Sequence, residues 1–326
     1  MSNKRRLLTI AIPTFNRNEL VVKNVEILLP FMSHWVGLLI LDNCSEIPVA
    51  ESLSVLIGKH ADKNIEVVRN PINVGGNTNV LRCLEYVESE YIWIIGDDDF
   101  LEPNILGLIY ENIKNCKPVW INLYEDLSGC QPVRNQSLCC SNLTEFLANL
   151  ESISELVFVS TNIYRSEILK KGILDGYHYQ IMMAPHLTAM LSGLSSSNNC
   201  GEYLISAEKA FKSVSNNKDS KTAWPLYRAF VGILSLPKLP LGAPVRLAVI
   251  TLIRGARKLW LSDKNLVIAF SELTRQSGRA SAFFQSSEIL LSIIYIDRLY
   301  SIISIPIYFS SILLGGNVDI FKRIFR

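Results

Sequence analysis

Three carboxylates stand side by side at Asp97-Asp98-Asp99, directly after the apolar run 91–95 and Gly96. Adjacent carboxylates repel one another, at a cost of about one to several kcal/mol where they are partly buried. A hard divalent cation relieves that repulsion. Mg²⁺ or Mn²⁺ takes oxygen ligands, characteristically one or two protein carboxylates with substrate phosphates completing its shell. The triplet therefore points to a metal and a phosphorylated ligand, against the alternative of a solvated acidic turn. Two other patterns follow apolar runs in the same way. Asp42, in Leu41-Asp42-Asn43-Cys44-Ser45, can accept hydrogen bonds from a nucleotide's base or ribose. The same residue can form a turn or cap a helix. Asn73-Val74-Gly75-Gly76-Asn77-Thr78-Asn79 opens a helical pattern, where glycines let backbone N–H groups approach a phosphate. Its spacing is neither a Walker A loop nor GxGxxG.

These residues need a scaffold that brings strand ends together. Apolar, β-branched runs at 7–12, 37–41, 64–68, 91–95 and 119–124 read as strands, and the run 7–12 is closed by Pro13. Helical spacing occupies 17–31, 76–88 and 103–116, the last with Pro103 in its first turn. Such alternation predicts βαβ units and a mostly parallel sheet. Right-handed crossovers then place the loop after each strand on one rim, where open α/β sheets bind ligands. From about 125 to 220 the alternation loosens. A strand is predicted at 158–164, a short helix at 185–194 and a polar boundary at 213–221. Apolar-rich helices with interspersed Arg and Lys are predicted at 245–261 and 280–300.

The chain has 326 residues, 49% hydrophobic and 19% charged, which is ample for a buried core and excludes a disordered chain. Its length suggests two domains, or one with an appendage. Net charge is +2 but unevenly spread: residues 1–220 hold 18 basic and 25 acidic side chains, and residues 221–326 hold 14 and 5. A basic C-terminal part can face an anionic surface. Seven cysteines and four histidines, without a CxxC pair, exclude a structural zinc site and a disulfide framework and predict free thiols in a reducing compartment. The apolar run 7–12 is too short for a signal peptide, so the expected side is cytoplasmic.

Taken in order, Ile12-Pro13-Thr14-Phe15-Asn16-Arg17, Leu41-Asp42-Asn43-Cys44-Ser45, the Asn73–Asn79 loop and Tyr91-Ile92-Trp93-Ile94-Ile95-Gly96-Asp97-Asp98-Asp99 form a specific combination. It resembles glycosyltransferase family 2, inverting enzymes of the GT-A fold that use nucleotide-sugar donors. The resemblance covers residues 7–125 clearly and extends weakly to about 215. Its opening motif and its Trp-Ile-x-Gly-x-Asp-Asp stretch are similar to those of bacterial O-antigen transferases of the abequosyltransferase type.

The resemblance implies a GT-A α/β domain, a mostly parallel sheet flanked by helices, over residues 1–215. Residues 7–125 would be the nucleotide-sugar-binding half and 126–215 the acceptor half, followed by a basic, apolar-rich helical region at 221–326. It implies that Pro13, Thr14, Asn16 and Arg17 lie along the nucleotide, with Asp42 at the base or ribose. Asn73, Gly75 and Asn79 join the donor site. Asp97 and Asp98 stand near the donor, and Asp99 with Asp97 holds the divalent cation, Mg²⁺ or Mn²⁺. The family's later Glu-Asp pair, whose Asp is the general base, is missing between 140 and 220. Pro185-His186 stands in its place, which makes His186 the expected base and Asp175 the fallback.

The expected function is inverting transfer from a nucleotide sugar to a saccharide acceptor, lipid-linked, in O-antigen-like polysaccharide biosynthesis, with no nucleic-acid partner. Nucleotidyl transfer and a degenerate, non-catalytic assembly scaffold are the alternatives. The C-terminal part bears on location. Residues 299–318 carry no charge, but Ser301, Ser304, Pro306, Ser310, Ser311, Gly315 and Gly316 interrupt the run. Arg298 precedes it, and Lys322, Arg323 and Arg326 follow. A helix lying in the membrane interface fits this pattern, giving peripheral contact through 246–326 at the cytoplasmic face of the inner membrane. Plain domain packing and a spanning helix are the other two readings.

Overall fold

The computed structural model describes residues 6–124, 134–180, 184–196, 201–211, 226–256 and 262–313. The chain divides into two compact units. The first comprises Met1–Asn149, Glu155–Gln180 and Ala184–Lys218, and the second Leu150–Ser154, Ile181–Met183 and Asp219–Arg326.

The first unit is built on an eight-stranded sheet. In chain order the strands are β1 (Leu8–Thr14), β2 (Val36–Asp42), β3 (Ile65–Arg69), β4 (Tyr91–Ile94), β5 (Trp120–Tyr124), β6 (Leu138–Cys140), β7 (Asn162–Arg165) and β8 (Tyr203–Lys209). The helices are α1 (Asn18–Leu28), α2 (Val49–Lys59), α3 (Gly76–Tyr86), α4 (Ile105–Cys116), α5 (Leu143–Ala148), α6 (Ser154–Val157), α7 (Ser166–Lys171), α8 (Ile173–His178) and α9 (Pro185–Ser195). The sheet order is β3-β2-β1-β4-β7-β5-β8-β6. All seven residues of β2 are buried, the pattern of a parallel strand covered on both faces.

The predicted α/β architecture is observed, and its parallel half is the part that matters for the rim. Strands β3, β2, β1 and β4 are parallel, with Thr14 beside Asp42 and Asp42 beside Arg69. The other half is mixed: β7 runs antiparallel to both β4 and β5, and β6 antiparallel to β8. The β7 register pairs Tyr91 with Arg165, Ile92 with Tyr164 and Trp93 with Ile163. A single turn of 3-10 helix, Val159–Thr161, precedes β7 and brings Ser160 to Gly96. Buried asparagines hold this region in place. Asn162 Oδ1 accepts from Trp120 Nε1 at 2.8 Å and from Asn122 Nδ2 at 3.0 Å. Helix α2, strands β6 and β8 and helices α5 to α8 are not among the predicted elements, and the strand predicted at 158–164 is the shorter β7.

The second unit is helical: α10 (Leu226–Ser235), α11 (Ala243–Gly255), α12 (Asp263–Ile296) and α13 (Arg298–Leu313). Within α12 the backbone leaves helical geometry at Gly278, whose φ of 76° suits a residue without Cβ. Helices α12 and α13 form a hairpin closed by aromatic contacts. Tyr308 packs on Phe270 and Phe283, and its hydroxyl donates to the Phe283 carbonyl at 2.9 Å. Arg254 donates from Nε and Nη2 to the Ile296 carbonyl at the end of α12. The polar boundary predicted at 213–221, and Lys322, Arg323 and Arg326, lie outside the described residues. The uncharged run is described as far as Leu313. Among the described residues no helix is long and apolar enough to cross a membrane.

Candidate active site

The parallel strands β1, β2 and β3 end at Thr14, Asp42 and Arg69, and β4 feeds the acidic turn through Ile95 and Gly96. Asp97 is buried and faces the end of β1. Its Oδ2 accepts from Thr14 Oγ1 at 2.7 Å and its Oδ1 from Arg17 Nη1 at 2.8 Å. The same Arg17 nitrogen reaches Asp98 Oδ2 at 3.2 Å. Asp98 is the outward member, with 53% of its side chain exposed. Asp99 folds back on the turn. Its Oδ2 accepts from Ser160 Oγ at 2.5 Å and from the Gly96 N–H at 3.1 Å. From α1, the buried Asn24 donates Nδ2 to the carbonyls of Asp99 at 3.0 Å and Gly96 at 3.4 Å. The turn is thus gripped on its backbone by one element and on its side chain by another.

The electrostatics follow from that enclosure. Burial pushes the Asp99 carboxyl up to about 6, aided by the charges of Asp98 and Asp97 and opposed by the hydrogen bonds from Ser160 and Gly96. Burial also raises Asp97, against the pull of Thr14 and Arg17. The hydrogen bond to Asp97 is the main reason that the Arg17 guanidinium holds its proton more tightly than usual. Gly96 matters for space. A Cβ added there would lie 2.6 Å from Asp99 Oδ2 and 3.1 Å from Asp98 Oδ1, so these two carboxylate oxygens flank a cradle that only a hydrogen fills. Two hard oxygen donors around a cradle suit Mg²⁺ or Mn²⁺. Among the described residues no three or more His, Cys, Asp or Glu side chains are placed to hold one metal ion together, so phosphate oxygens would have to complete the shell. Asp97, expected as a metal ligand, faces Thr14 and Arg17 with both its oxygens, and Asp98 stands at the cradle in its stead.

Asp42 takes the alternative that its sequence context left open. It is 1% exposed. Its Oδ1 accepts from the Ser45 N–H at 2.8 Å, and its Oδ2 from Arg69 Nη1 at 2.6 Å and the Val49 N–H at 3.3 Å. Burial opposes its charge, yet the hydrogen bonds from Ser45, Val49 and Arg69 hold the carboxyl below the usual range. The carboxylate expected at a base or ribose instead caps the start of α2 and fixes the loop after β2. Asn16, at φ 55°, ties the first loop to that one: its Oδ1 accepts from the Glu46 N–H and its N–H donates to Ser45 Oγ. Pro13 is half-buried, and Phe15 beside it is 40% exposed.

The loop before α3 is stitched by amides. Asn43 Oδ1 accepts from the Val74 N–H and from Asn70 Nδ2, and Asn43 Nδ2 donates to Asn73 Oδ1. Asn73 Oδ1 also accepts from the Gly75 N–H. Asn70 Nδ2 donates to Asn79 Oδ1, and Asn79 Nδ2 to the Leu41 carbonyl. Of the three loop residues expected in the donor site, Asn79 is buried in this network, while Asn73 and Gly75 remain exposed. Asn77 Nδ2 donates to the Gln180 carbonyl at 2.7 Å, and Thr78 Oγ1 to Gln180 Oε1 at 2.5 Å. Gln180 therefore lies over the first turn of α3.

His186 is not brought to this rim as an open base. It is 2% exposed, with Nε2 3.3 Å from the Leu156 carbonyl, and burial lowers its pKa to about 4. In this structure the imidazole is packed beside the Leu156 carbonyl and shielded from solvent. Asp175 is half-buried on α8. Sequence reasoning missed Ser160, Asn24, Asn70 and Arg69. The asparagines near strand ends were a usable signal, because such side chains fix turns. Ser160 had none, since its partner Asp99 lies 61 residues away.

Residues 9–158 match the family model described as Glycosyl transferase family 2, so the chain carries a glycosyltransferase domain and is an enzyme of that kind. No curated protein matches. Among solved structures, S. aureus TarS 1–349 in complex with UDP-GlcNAc is similar, at 14% identity over 94% of this chain and 90% of that one, with a TM-score of 0.64. The same protein in complex with UDP gives 13% identity over 94% and 90%, with a TM-score of 0.57. The mannosyltransferase PcManGT from Pyrobaculum calidifontis, in complex with GDP-Man and Mn²⁺, gives 10% over 97% and 88%, with a TM-score of 0.55. At these identities the likeness is one of fold, that of GT-A glycosyltransferases.

Proposed function

We propose that this enzyme transfers a sugar, with inversion, from a nucleotide-sugar donor to a lipid-linked saccharide in cell-surface polysaccharide biosynthesis of the O-antigen kind. The observation that carries the donor half is the cradle at Gly96, flanked by Asp98 Oδ1 and Asp99 Oδ2 at the rim of the parallel strands. Those two carboxylates would hold Mg²⁺ or Mn²⁺, which when bound supplies positive charge to the donor diphosphate as it leaves. Thr14 and Arg17 keep Asp97 turned inward, so Arg17 offsets part of the charge that the triplet presents to a diphosphate. Pro13 near the end of β1 and Asn16 after it, with Asn73 and Gly75 after β3, would line the nucleotide. That TarS was solved with UDP-GlcNAc and PcManGT with GDP-Man and Mn²⁺ supports the donor class. With His186 enclosed, Asp175 is the remaining sequence candidate for the base that takes the acceptor's proton.

The membrane-facing half of the proposal rests on the second unit. Residues 221–326 carry 14 basic and 5 acidic side chains. In the same unit Leu247, Leu291, Tyr295, Phe309 and Leu313 are exposed. Basic attraction to anionic lipid with apolar side chains for contact is the combination an interfacial helix needs.

The test is a thermal-shift screen of nucleotide sugars with Mn²⁺, followed by transfer to a saccharide acceptor and NMR assignment of the product anomer. A ligand that binds only the folded chain raises its melting point by mass action. A donor that stabilises the chain only with Mn²⁺, and a product of inverted configuration, are expected. Stabilisation by no nucleotide sugar, or retention at the anomeric carbon, sinks the reading.

A further inference from the structure

The residue that fixes the acidic turn from the neighbouring strand's entry belongs to no motif. Ser160 lies in the single 3-10 turn Val159–Thr161 that precedes β7, and it is fully buried. Its hydroxyl is used twice, donating to Asp99 Oδ2 at 2.5 Å and accepting from the Gly96 N–H at 2.9 Å. Its own backbone is pinned, because its carbonyl accepts from the indole Nε1 of buried Trp93 on β4 at 2.7 Å. The β4–β7 ladder ends at Trp93 with Ile163, and the turn that precedes β7 brings Ser160 to Gly96, where the hydrogen bond from the Gly96 N–H fixes it. No other described side chain donates a hydrogen bond to the Asp99 carboxylate.

We propose that Ser160 is a positioning residue for the metal and donor site: its hydroxyl locks the rotation of the Asp99 carboxylate beside the Gly96 cradle, so that Asp99 meets the cation already oriented. This rests on the reading above, in which Asp98 and Asp99 receive a divalent cation with the donor diphosphate. The physical ground is general. Hydrogen bonds to a ligating carboxylate set its direction, and their loss commonly weakens metal binding by about 10–100-fold. Ser160 acts through Asp99 alone, so its effect must vanish when Asp99 no longer ligates.

The experiment measures protein-bound Mn²⁺ by water-proton relaxation enhancement. The full chain is titrated with Mn²⁺ in an equimolar mixture of UDP, GDP, CDP and dTDP. Ser160→Ala and Ser160→Cys, the latter a weak donor of similar volume, are expected to bind Mn²⁺ about 10–100-fold more weakly. Ser160→Thr, which keeps the hydroxyl, is expected to stay near the unmodified chain. In the Asp99→Asn background, adding Ser160→Ala is expected to cost less than about twofold, because the two changes act as one unit. Melting curves identify any variant that fails to fold, and the Cys variant carries the test if the Ala variant does not fold. If the unmodified chain binds Mn²⁺ and both the Ala and Cys variants match it, the positioning role is overturned and the metal reading stands. An effect of Ser160→Ala that persists undiminished without the Asp99 charge overturns it equally. If the unmodified chain binds no Mn²⁺, the metal reading falls, and the role of Ser160 with it.

Discussion

Replacing Asp99 by Asn separates what the acidic turn costs the fold from what it contributes to chemistry. The amide is nearly isosteric, and its oxygen can still accept from Ser160 Oγ and the Gly96 N–H, the two bonds that Asp99 Oδ2 now receives. What disappears is a charge held in a confined place beside two others. Burial raises the carboxyl from the usual 3.8 to about 6, which corresponds to about 3 kcal/mol for a fully formed charge. Part of Asp99 still reaches solvent at the rim, so the net gain from the amide is about 1–2 kcal/mol. The sign follows from linkage. The folded state holds its proton more tightly than the unfolded chain does. The favourable contribution of protonated Asp99 is therefore complete below about pH 3.8 and is lost as pH rises through about 6. The variant should match the unmodified chain near pH 4 and exceed it above pH 6, in urea unfolding without divalent cation. Turnover should fall by at least about 10²-fold, because a neutral amide is a poorer ligand for a hard cation. Mn²⁺ with donor nucleotide should then stabilise only the unmodified chain. An Asn variant less stable at pH 7, or a gain that does not change with pH, would refute the reasoning.

Gly96→Ala should lower the melting point, since its Cβ would push Asp99 Oδ2 off the hydrogen bonds from Ser160 and the Gly96 N–H, and should lower kcat/KM by about 10²-fold by the same displacement. Steady-state kinetics beside a melting curve check both halves. His186 is buried neutral, so its contribution to stability is present above about pH 6.5 and is lost as pH falls toward about 4. His186→Gln should remove that acid-side loss, about 3 kcal/mol at most, and keep turnover within about tenfold. A drop of about 10³-fold in a folded variant would restore the catalytic role. For the second unit, the chain should co-sediment with anionic vesicles at low salt, less in high salt, and poorly with neutral vesicles. A chain that stays in the supernatant with anionic vesicles loses the membrane reading.

How much of this was legible in the sequence depends on whether the deciding contact is local. The parallel half of the sheet could be read because each of its strands announces itself: the apolar run that makes β2 is buried at every position. The mixed half could not, since the direction of β7 is decided by pairing with β4 and β5, and four residues with a polar member at each end carry no sign of it. The site divides along the same line. Three adjacent carboxylates after a strand create their repulsion within the turn itself, so their chemistry is visible without a fold. Asp42 was legible as a rim residue that could bind a ligand or cap a helix, but the choice was not, because it depends on where Ser45, Val49 and Arg69 stand. The burial of His186 was not legible for a related reason: a position in a motif says nothing about exposure, and α9 buries ten consecutive residues from Pro185 to Leu194. Ser160 is the limiting case. Its hydroxyl is ordinary in sequence and acquires meaning only from the fold that sets it against Gly96. A site assembled this way is robust to changes in the loop's composition and fragile to changes in β7, so a one-residue shift of that strand would unseat Asp99 without touching the triplet.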